Sequence, residues 1–421
     1  MKSLRHRLLS FLARFEFFNS RMDMLKDKGK CVIFAGELPL KLAKLHPADR
    51  GASSIMYFLI IMVLVTIHVG LMYACLLENS RVDAIANILG LSNGGMQTIF
   101  KATAIFYQRK EFTKILKTMR YSFWPADAVD SATEEQIWTN SKKLLLLLST
   151  QYVVPALYLI YIMIGPILKG SRYLPCAYCL LPNQTDESPI FEMVYAFQVI
   201  TTVFLPLHII GGNDNLYVTS CSICSAQFRL LRAAIRVVGS GHEGELIERL
   251  LRLPGVETPP SRGRSDKAKI LLVICIKHHQ NLLRFIDTLN RVFENGIFGQ
   301  FVFSLAGIWA NCYTLTIQTT IKGSVTTLAI YGSCLLQLLL FCAFSDDLSH
   351  LSADLANGAY ESMWYQNGDP DVGRCLALVI LRSQKAVCMN AYGLFELNHV
   401  SFMAVIRFSF SLYTFMSQVA T

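Results

Sequence analysis

The sequence predicts an all-α protein with seven transmembrane helices. Of its 421 residues, 53% are hydrophobic and only 16% are charged, whereas soluble domains carry about 25% charged residues. The hydrophobic residues also fall in blocks of about 20 residues, which is the length of helix that crosses a bilayer. We therefore expect an integral membrane protein rather than a soluble globule.

Seven such blocks follow one another along the chain. We place the spans at residues 54–77, 82–107, 144–168, 190–210, 296–319, 325–344 and 395–419. Helices are expected because backbone donors in hydrocarbon must find their acceptors inside the segment. The second block is the most polar and contains Asn93, Gln97 and Lys101. Its helix is expected to face the bundle interior, with Lys101 snorkelling toward the interface.

The distribution of Lys and Arg predicts the direction of the spans. Four polar segments contain 33 of the 39 Lys and Arg residues, and the three loops on the opposite side contain 4. The basic segments are 1–53, 108–143, 219–294 and 346–392. Because cytoplasmic loops carry the excess of positive charge, we expect a cytoplasmic N-terminus and an extracellular C-terminus. Asn183-Gln184-Thr185 is a glycosylation acceptor pattern in an expected outer loop, so Asn183 is a candidate glycosylation site.

These assignments divide the chain into six parts. They are a cytoplasmic N-terminal segment at 1–53, spans one to four at 54–218, cytoplasmic anchor helices with a flexible loop at 219–294, spans five and six at 295–346, a second cytoplasmic anchor segment at 347–392 and the last span at 393–421.

Apolar residues in the first anchor part recur at three- and four-residue spacing, for example Leu271, Ile274 and Leu282. This spacing predicts helices that extend beyond the membrane and pack there; the alternative is amphipathic helices lying on the lipid surface. The Gly-, Pro- and Ser-rich stretch 238–266 is expected to be a flexible loop.

No motif predicts an enzyme. Residues 239–244 match a dinucleotide-binding string but follow no strand, and the Cys pairs 176/179 and 221/224 lack the second pair of ligands that zinc requires. We expect no catalytic residues, no metal and no cofactor. The basic residues lie between apolar blocks rather than on one polar face, so no nucleic-acid partner is expected.

Several stretches, taken in order, resemble the insect odorant receptor family. They are RYLPCAYCLLP at 172–182, SPIFEMVYAFQ at 188–198, LLVICIKHHQNLLRFIDTLNRVF at 271–293, LLQLLLFCAFSDDLSHLSADLANGAYESMWYQ at 335–366, LRSQKAV at 381–387 and RFSFSLYTFMSQV at 407–419. The last stretch is less regular than the family's usual ending, and Cys179 replaces a common aromatic residue.

The resemblance implies a subunit of an odorant-gated, non-selective cation channel in the plasma membrane. Members of this family assemble as tetramers, usually heterotetramers with an odorant receptor co-receptor, and their last helices line a central pore. Each subunit has an odorant pocket in the outer half of its helices. The implied partners are a small neutral volatile ligand, co-receptor subunits, permeant cations and membrane lipid.

Aromatic and small polar residues, without charges, occupy the outer halves of spans two, three, four and six. Apolar walls with a few hydrogen-bonding groups suit a small neutral ligand. The candidate ligand-binding residues are Ile88, Leu89, Ser92, Leu159, Met163, Tyr195, Gln198, Thr202, Leu328 and Tyr331. The alternative for each residue is ordinary packing within the bundle.

The last span contains the candidate gate. Met416, with Val419 one turn above it, is expected to close the pore by dewetting, and Ser417 or Gln418 would replace them if the register shifts by one residue. Arg407 would repel cations inside a pore. It is expected either to reach the cytoplasmic vestibule or another subunit, or to snorkel.

Two alternative functions remain. A gustatory receptor-type ligand-gated cation channel would share the topology, but its usual Thr-Tyr…Gln-Phe ending is missing. A transporter would show internal repeats with matched helix breaks, and the breaks at Pro155 and Pro206 have no counterpart in the other half.

Overall fold

The computed structural model confirms the all-α prediction. The structure describes residues 31–49, 51–78, 82–169, 188–256, 267–317, 321–366 and 369–420. In this part of the chain, the secondary structure other than helix is one short antiparallel hairpin, β1 (Asn390–Ala391) with β2 (Phe395–Glu396).

The longest of the described helices has 51 residues. In chain order they are α1 (Cys31–Leu42), α2 (Ala52–Glu78), α3 (Val82–Tyr107), α4 (Arg109–Tyr121), α5 (Ser131–Lys169), α6 (Ile190–Val199), α7 (Leu205–Arg236), α8 (Glu243–Leu251), α9 (Lys267–Ile317), α10 (Ile321–Tyr360), α11 (Pro370–Gln384) and α12 (His399–Ala420). A π-helical turn, Ile200–Phe204, joins α6 to α7, and a 3₁₀ turn lies at Trp364–Gln366.

The seven predicted spans coincide with helices, with one difference at the last. Its helix begins at His399 rather than near residue 395, because residues 390–396 form the β1–β2 hairpin. By length and composition alone, three stretches of the described chain qualify as spans: Ala52–Cys75, Ile190–Arg236 and Ile330–Gln366.

Four helices run without a break between the predicted spans and the polar segments. They are α5, α7, α9 and α10, and their polar ends share one buried core that includes Ile137, Leu231, Leu282 and Leu355. The helical extensions predicted for residues 219–294 are therefore present in α7 and α9, where they pack into the core rather than lying as separate surface helices. Residues 238–266 are not entirely a loop, since α8 lies within them and buries Leu246 and Leu250.

A buried aromatic and polar contact joins the loop after α4 to α7 and α9. The Gln227 side chain accepts from the Trp124 backbone N–H (2.9 Å) and donates to the Trp124 carbonyl (2.9 Å). His278 Nε2 lies 3.1 Å from Gln227 Oε1, and its ring stacks on Trp124 at 4.0 Å. Burial lowers the pKa of His278 to about 3, with a smaller contribution from His279.

This burial predicts a pH dependence of stability. The unfolded chain protonates His278 near its ordinary pKa of 6.5 while the folded chain does not, so stability falls as the pH drops below 6.5 and is regained as it rises. Between pH 7 and pH 5 the loss from this residue is about 2 kcal/mol. In thermal melts of the purified protein, His278→Gln should reduce the decrease in Tm between these pH values. His242→Gln, at an exposed position, is the control, and an unchanged decrease in His278→Gln would contradict the assignment.

Candidate functional site

A buried ion pair lies inside the helix bundle. Lys101 of α3 is 1% exposed, and its Nζ donates to Asp214 Oδ1 of α7 at 2.5 Å and to Gln300 Oε1 of α9 at 2.7 Å. The prediction that Lys101 snorkels toward the interface is wrong. Because α7 and α9 pack against this face of α3, the ammonium group is covered and finds its partners inside the protein.

The ion pair is the centre of a larger hydrogen-bonded network. The Gln337 amide of α10 donates to Asp214 Oδ2, and the Gln97 amide of α3 donates to Gln300 Oε1 at 2.8 Å. The Gln300 amide in turn donates to Ser304 Oγ at 2.9 Å. Four helices, α3, α7, α9 and α10, therefore share one chain of polar contacts. Buried charges are tolerated when they are both paired and hydrogen-bonded in this way.

Part of the predicted ligand pocket lies where α2, α3 and α6 meet. Ile88 is buried beside Met72 and Cys75 of α2, and Phe197 of α6 packs against this group. Gln198 is fully buried and Ser92 is 1% exposed. The described side chains at this level, Ile88, Ser92 and Gln198, are thus buried and uncharged.

The other residues predicted to line the ligand pocket lie in different environments. Tyr195 is partly buried and stacks on Phe191 with ring centroids 5.8 Å apart, and Thr202 lies in the π-helical turn. Leu328 is 52% exposed in the single chain. The side chains of Leu89, Leu159 and Met163, like residue Asn183, lie outside the described residues.

Tyr331 of α10 connects the predicted pocket to the last helix. Its hydroxyl lies 2.9 Å from Ser409 Oγ of α12, and Ser409 Oγ donates to the Ile406 carbonyl at 2.8 Å. The Ser409 carbonyl also accepts from the Cys312 thiol of α9 at 3.8 Å. Ser409 is 1% exposed, so α12 is held on α9 and α10 at this position.

The opposite side of α12 is exposed and carries a stripe of polar residues. Arg407, Ser411, Thr414 and Gln418 are all exposed, and their spacing of four, three and four residues aligns them along one face of a helix. We call these four residues the polar stripe. Phe408 and Phe415, 55% and 59% exposed, flank it on one side.

The predicted gate residues lie at the end of the same helix. Ser417 Oγ donates to the Thr414 carbonyl at 2.8 Å, and Gln418 belongs to the polar stripe. The side chains of Met416 and Val419 lie outside the described residues.

Sequence reasoning missed most members of the buried network. It noted Lys101 but not its partners Asp214, Gln300 and Gln337. One signal was available, because an acidic residue at 214 sits among otherwise uncharged positions of an apolar stretch and such a residue requires a cation or hydrogen-bond donors nearby. Sequence reasoning also did not single out His68 of α2. This residue is 1% exposed, and its ring centroid lies 6.4 Å from that of Phe197.

Comparison with known proteins identifies relatives of this chain. The family model described as 7tm Odorant receptor matches residues 94–410, which is more than half of the chain. Among Drosophila melanogaster proteins, Odorant receptor 42a is 25% identical over 42% of this chain and 43% of its own length. Odorant receptor 30a is 22% identical over 60% and 62%, respectively. The alignments thus span less than two thirds of these two relatives.

The fold is similar to that of a solved receptor. The insect olfactory receptor OR5 from Machilis hrabei, in complex with eugenol, superposes with a TM-score of 0.70 at 12% identity, covering 94% of this chain and 100% of that one. A second structure of the same receptor also superposes with a TM-score of 0.70, covering 93% of this chain and 98% of that one. At this identity the likeness establishes the seven-helix fold.

The buried ion pair predicts an unequal response to single and double substitution. Lys101→Met leaves Asp214 buried without its cation, which costs about 3–5 kcal/mol, so we expect a lower Tm in detergent and reduced surface expression. Lys101→Met/Asp214→Leu removes both charges and should recover part of the loss. Lys142→Met, at an exposed lysine, should resemble the parent protein. A single variant as stable as Lys142→Met would show that the ion pair contributes little.

Proposed function

Because this chain belongs to the insect odorant receptor family, we propose that it is the odorant-binding subunit of an odorant-gated, non-selective cation channel in the plasma membrane. We propose further that it assembles with odorant receptor co-receptor subunits, as the sequence resemblance implies. The observation that carries the channel proposal is the polar stripe on the exposed side of α12.

Polar side chains facing hydrocarbon are unfavourable, and a charged one is costly. A stripe that contains Arg407 and Gln418 is therefore better accommodated beside water or another subunit than beside lipid. A central pore shared by several subunits provides both water and a neighbouring subunit beside α12. The flanking aromatic residues Phe408 and Phe415 would then meet lipid or a neighbouring subunit.

Helix geometry distinguishes the two proposed gate registers. Successive residues turn by about 100° around a helix, so Met416 and Thr414 project about 160° apart, whereas Gln418 and Thr414 share one face. If the polar stripe lines the pore, this geometry supports the register with Gln418, and Ser417 beside it, at the constriction. Met416 and Val419 would line the constriction only if α12 rotates about its axis.

The proposed ligand is a small neutral volatile molecule in the pocket predicted from the sequence. Support comes from the described lining at Ile88, Ser92 and Gln198, which is buried and uncharged. The Machilis receptor was solved in complex with eugenol, which favours an organic ligand for a chain of the same fold. The pocket members Leu89, Leu159, Met163, Tyr195, Thr202, Leu328 and Tyr331 belong to the same proposal.

The Tyr331–Ser409 contact provides a route from this pocket to the pore. A ligand shifts a conformational equilibrium only by its different affinity for the two states. Movement of α10 around a bound ligand would change the Tyr331 hydroxyl position and so favour or disfavour the resting position of α12. Opening would follow when α12 leaves the axis and the constriction becomes wet.

The pore assignment predicts a difference in accessibility between neighbouring positions. In cells that also express the co-receptor, a charged methanethiosulfonate reagent applied during odorant stimulation should reduce the current through Thr414→Cys channels. Phe415→Cys, exposed at the same depth but off the stripe, should respond little. Equal responses at the two positions would contradict a pore-facing stripe.

If the Tyr331–Ser409 contact couples the pocket to the pore, removing either hydroxyl should change the odorant response by the same amount. Tyr331→Phe and Ser409→Ala each remove a hydroxyl from the pair, and one hydrogen bond is worth about 0.5–1.5 kcal/mol. Each should shift the odorant concentration for half-maximal current by roughly twofold to tenfold, with surface expression intact. The double variant should shift it no further. Additive shifts would mean that the two residues act separately.

A further inference from the structure

A cavity of about 440 Å³ lies away from the predicted odorant pocket. It is lined by α1, α4, the loop between α4 and α5, and faces of α5, α7 and α10. These segments meet where the polar part of α5 enters the predicted third span. The volume falls within the range of about 300–1,000 Å³ that is typical of small-molecule sites.

Most of the cavity wall is apolar. Ile33 of α1, Phe123 of the loop, and Ile137 and Leu147 of α5 contribute to it. Ile33 and Ile137 are buried, so part of this wall is shielded from solvent. A hydrocarbon chain or ring would therefore remove apolar surface from water when it enters.

Two helices contribute polar groups to the lining of the same cavity. On α5, Asn140 and Lys143 lie three residues apart and share a helix face, and on α7, Ser225 and Arg229 lie four residues apart and do the same. The other polar residues of the lining are Ser141 of α5, Ser222 and Gln227 of α7, and Asp347 of α10. The charged side chains are therefore two cations and one carboxylate, which leaves an excess of one positive charge.

The existing contacts leave this polar lining incompletely satisfied. Arg229 Nη2 lies 3.7 Å from Asp347 Oδ1, which is longer than a hydrogen bond. Lys143 is exposed and has no acidic partner within the described residues. Ser225 is 4% exposed, and its Oγ has no hydrogen-bond partner in the described part of the chain. A buried hydroxyl without a partner costs stability that a bound acceptor would restore.

We propose that this cavity binds a single-chain amphiphile with a carboxylate head, that is, a free fatty acid. Lys143 and Arg229 supply the positive charge, and the Ser225 hydroxyl donates to the carboxylate. Guanidinium and ammonium groups form strong charge-assisted hydrogen bonds with carboxylates. The hydrocarbon chain packs against Ile33 and Phe123. Leu147, within the predicted third span, lines the same cavity and gives the chain access from the bilayer.

The binding test uses the full-length protein in phosphatidylcholine nanodiscs, titrated with radiolabelled dodecanoate. Saturable binding is expected, with Kd raised roughly tenfold in Lys143→Gln and a few-fold in Ser225→Ala. The matched control is Lys142→Gln. Lys142 does not line the cavity, and its Nζ lies 5.6 Å from the Trp138 ring centroid, so its removal should leave Kd unchanged.

Four outcomes would overturn the proposal. The first is the absence of saturable binding, and the second is an equal loss in Lys142→Gln and Lys143→Gln. The third concerns the head group: dodecanol binding as tightly as dodecanoate would exclude recognition of an anion. Displacement of dodecanoate by added phosphatidylserine would assign the site to a bilayer phospholipid and also overturn the fatty-acid assignment. This readout is binding, so it is independent of whether the chain conducts ions.

Discussion

The ion pair between Lys101 and Asp214 and its hydrogen bonds constrain four helices of the bundle, α3, α7, α9 and α10. Two charges removed from water are stable only where each has a partner and hydrogen bonds at close range. That requirement fixes α3 against α7, and the amides of Gln300 and Gln337 extend it to α9 and α10. A shift of one helix along another would separate these groups. The charges would then be buried without partners, at the full free-energy cost of their desolvation.

The other helices are arranged around this fixed centre. α2 approaches α3 closely at Gly95, where a Cβ atom would lie 2.5 Å from Val69 Cγ2, and α3 approaches α9 at Gly299, where a Cβ atom would lie 2.3 Å from the Phe100 ring. Small residues at such crossings allow helices to pack closely in membranes. α12 packs on α9 and α10, so its orientation follows from theirs. The polar stripe is exposed because the buried network has fixed the helices that cover the other side of α12.

The elements with strong local signals could be predicted from sequence. The predicted bounds of α3, residues 82–107, coincide with the helix because charged residues lie close to both ends of the block, even though the block itself is the most polar of the seven. α9 was predicted to continue beyond its span because the apolar spacing persists through Leu271 and Leu282. The start of α12 was placed too early, since a two-residue strand pair at 390–396 leaves little trace in local composition.

The functional features that depend on distant partners could not be predicted in this way. The position of Lys101 follows from Asp214, 113 residues away, and composition near Lys101 indicated only snorkelling. The polar character of α12 was visible in the sequence. Which face of α12 is exposed depends on the contact of Ser409 with Tyr331 of another helix. The 440 Å³ cavity is formed by six segments, so no single stretch of sequence signals it.

The most direct measurement is a cryo-electron microscopy map of the chain in the proposed assembly with odorant receptor co-receptor subunits. The account predicts that Ser411, Thr414 and Gln418 face a central axis shared by the subunits, while Phe408 and Phe415 face lipid or a neighbouring helix. An assembly in which α12 lies at the lipid-facing periphery, with another helix lining the axis, would contradict it.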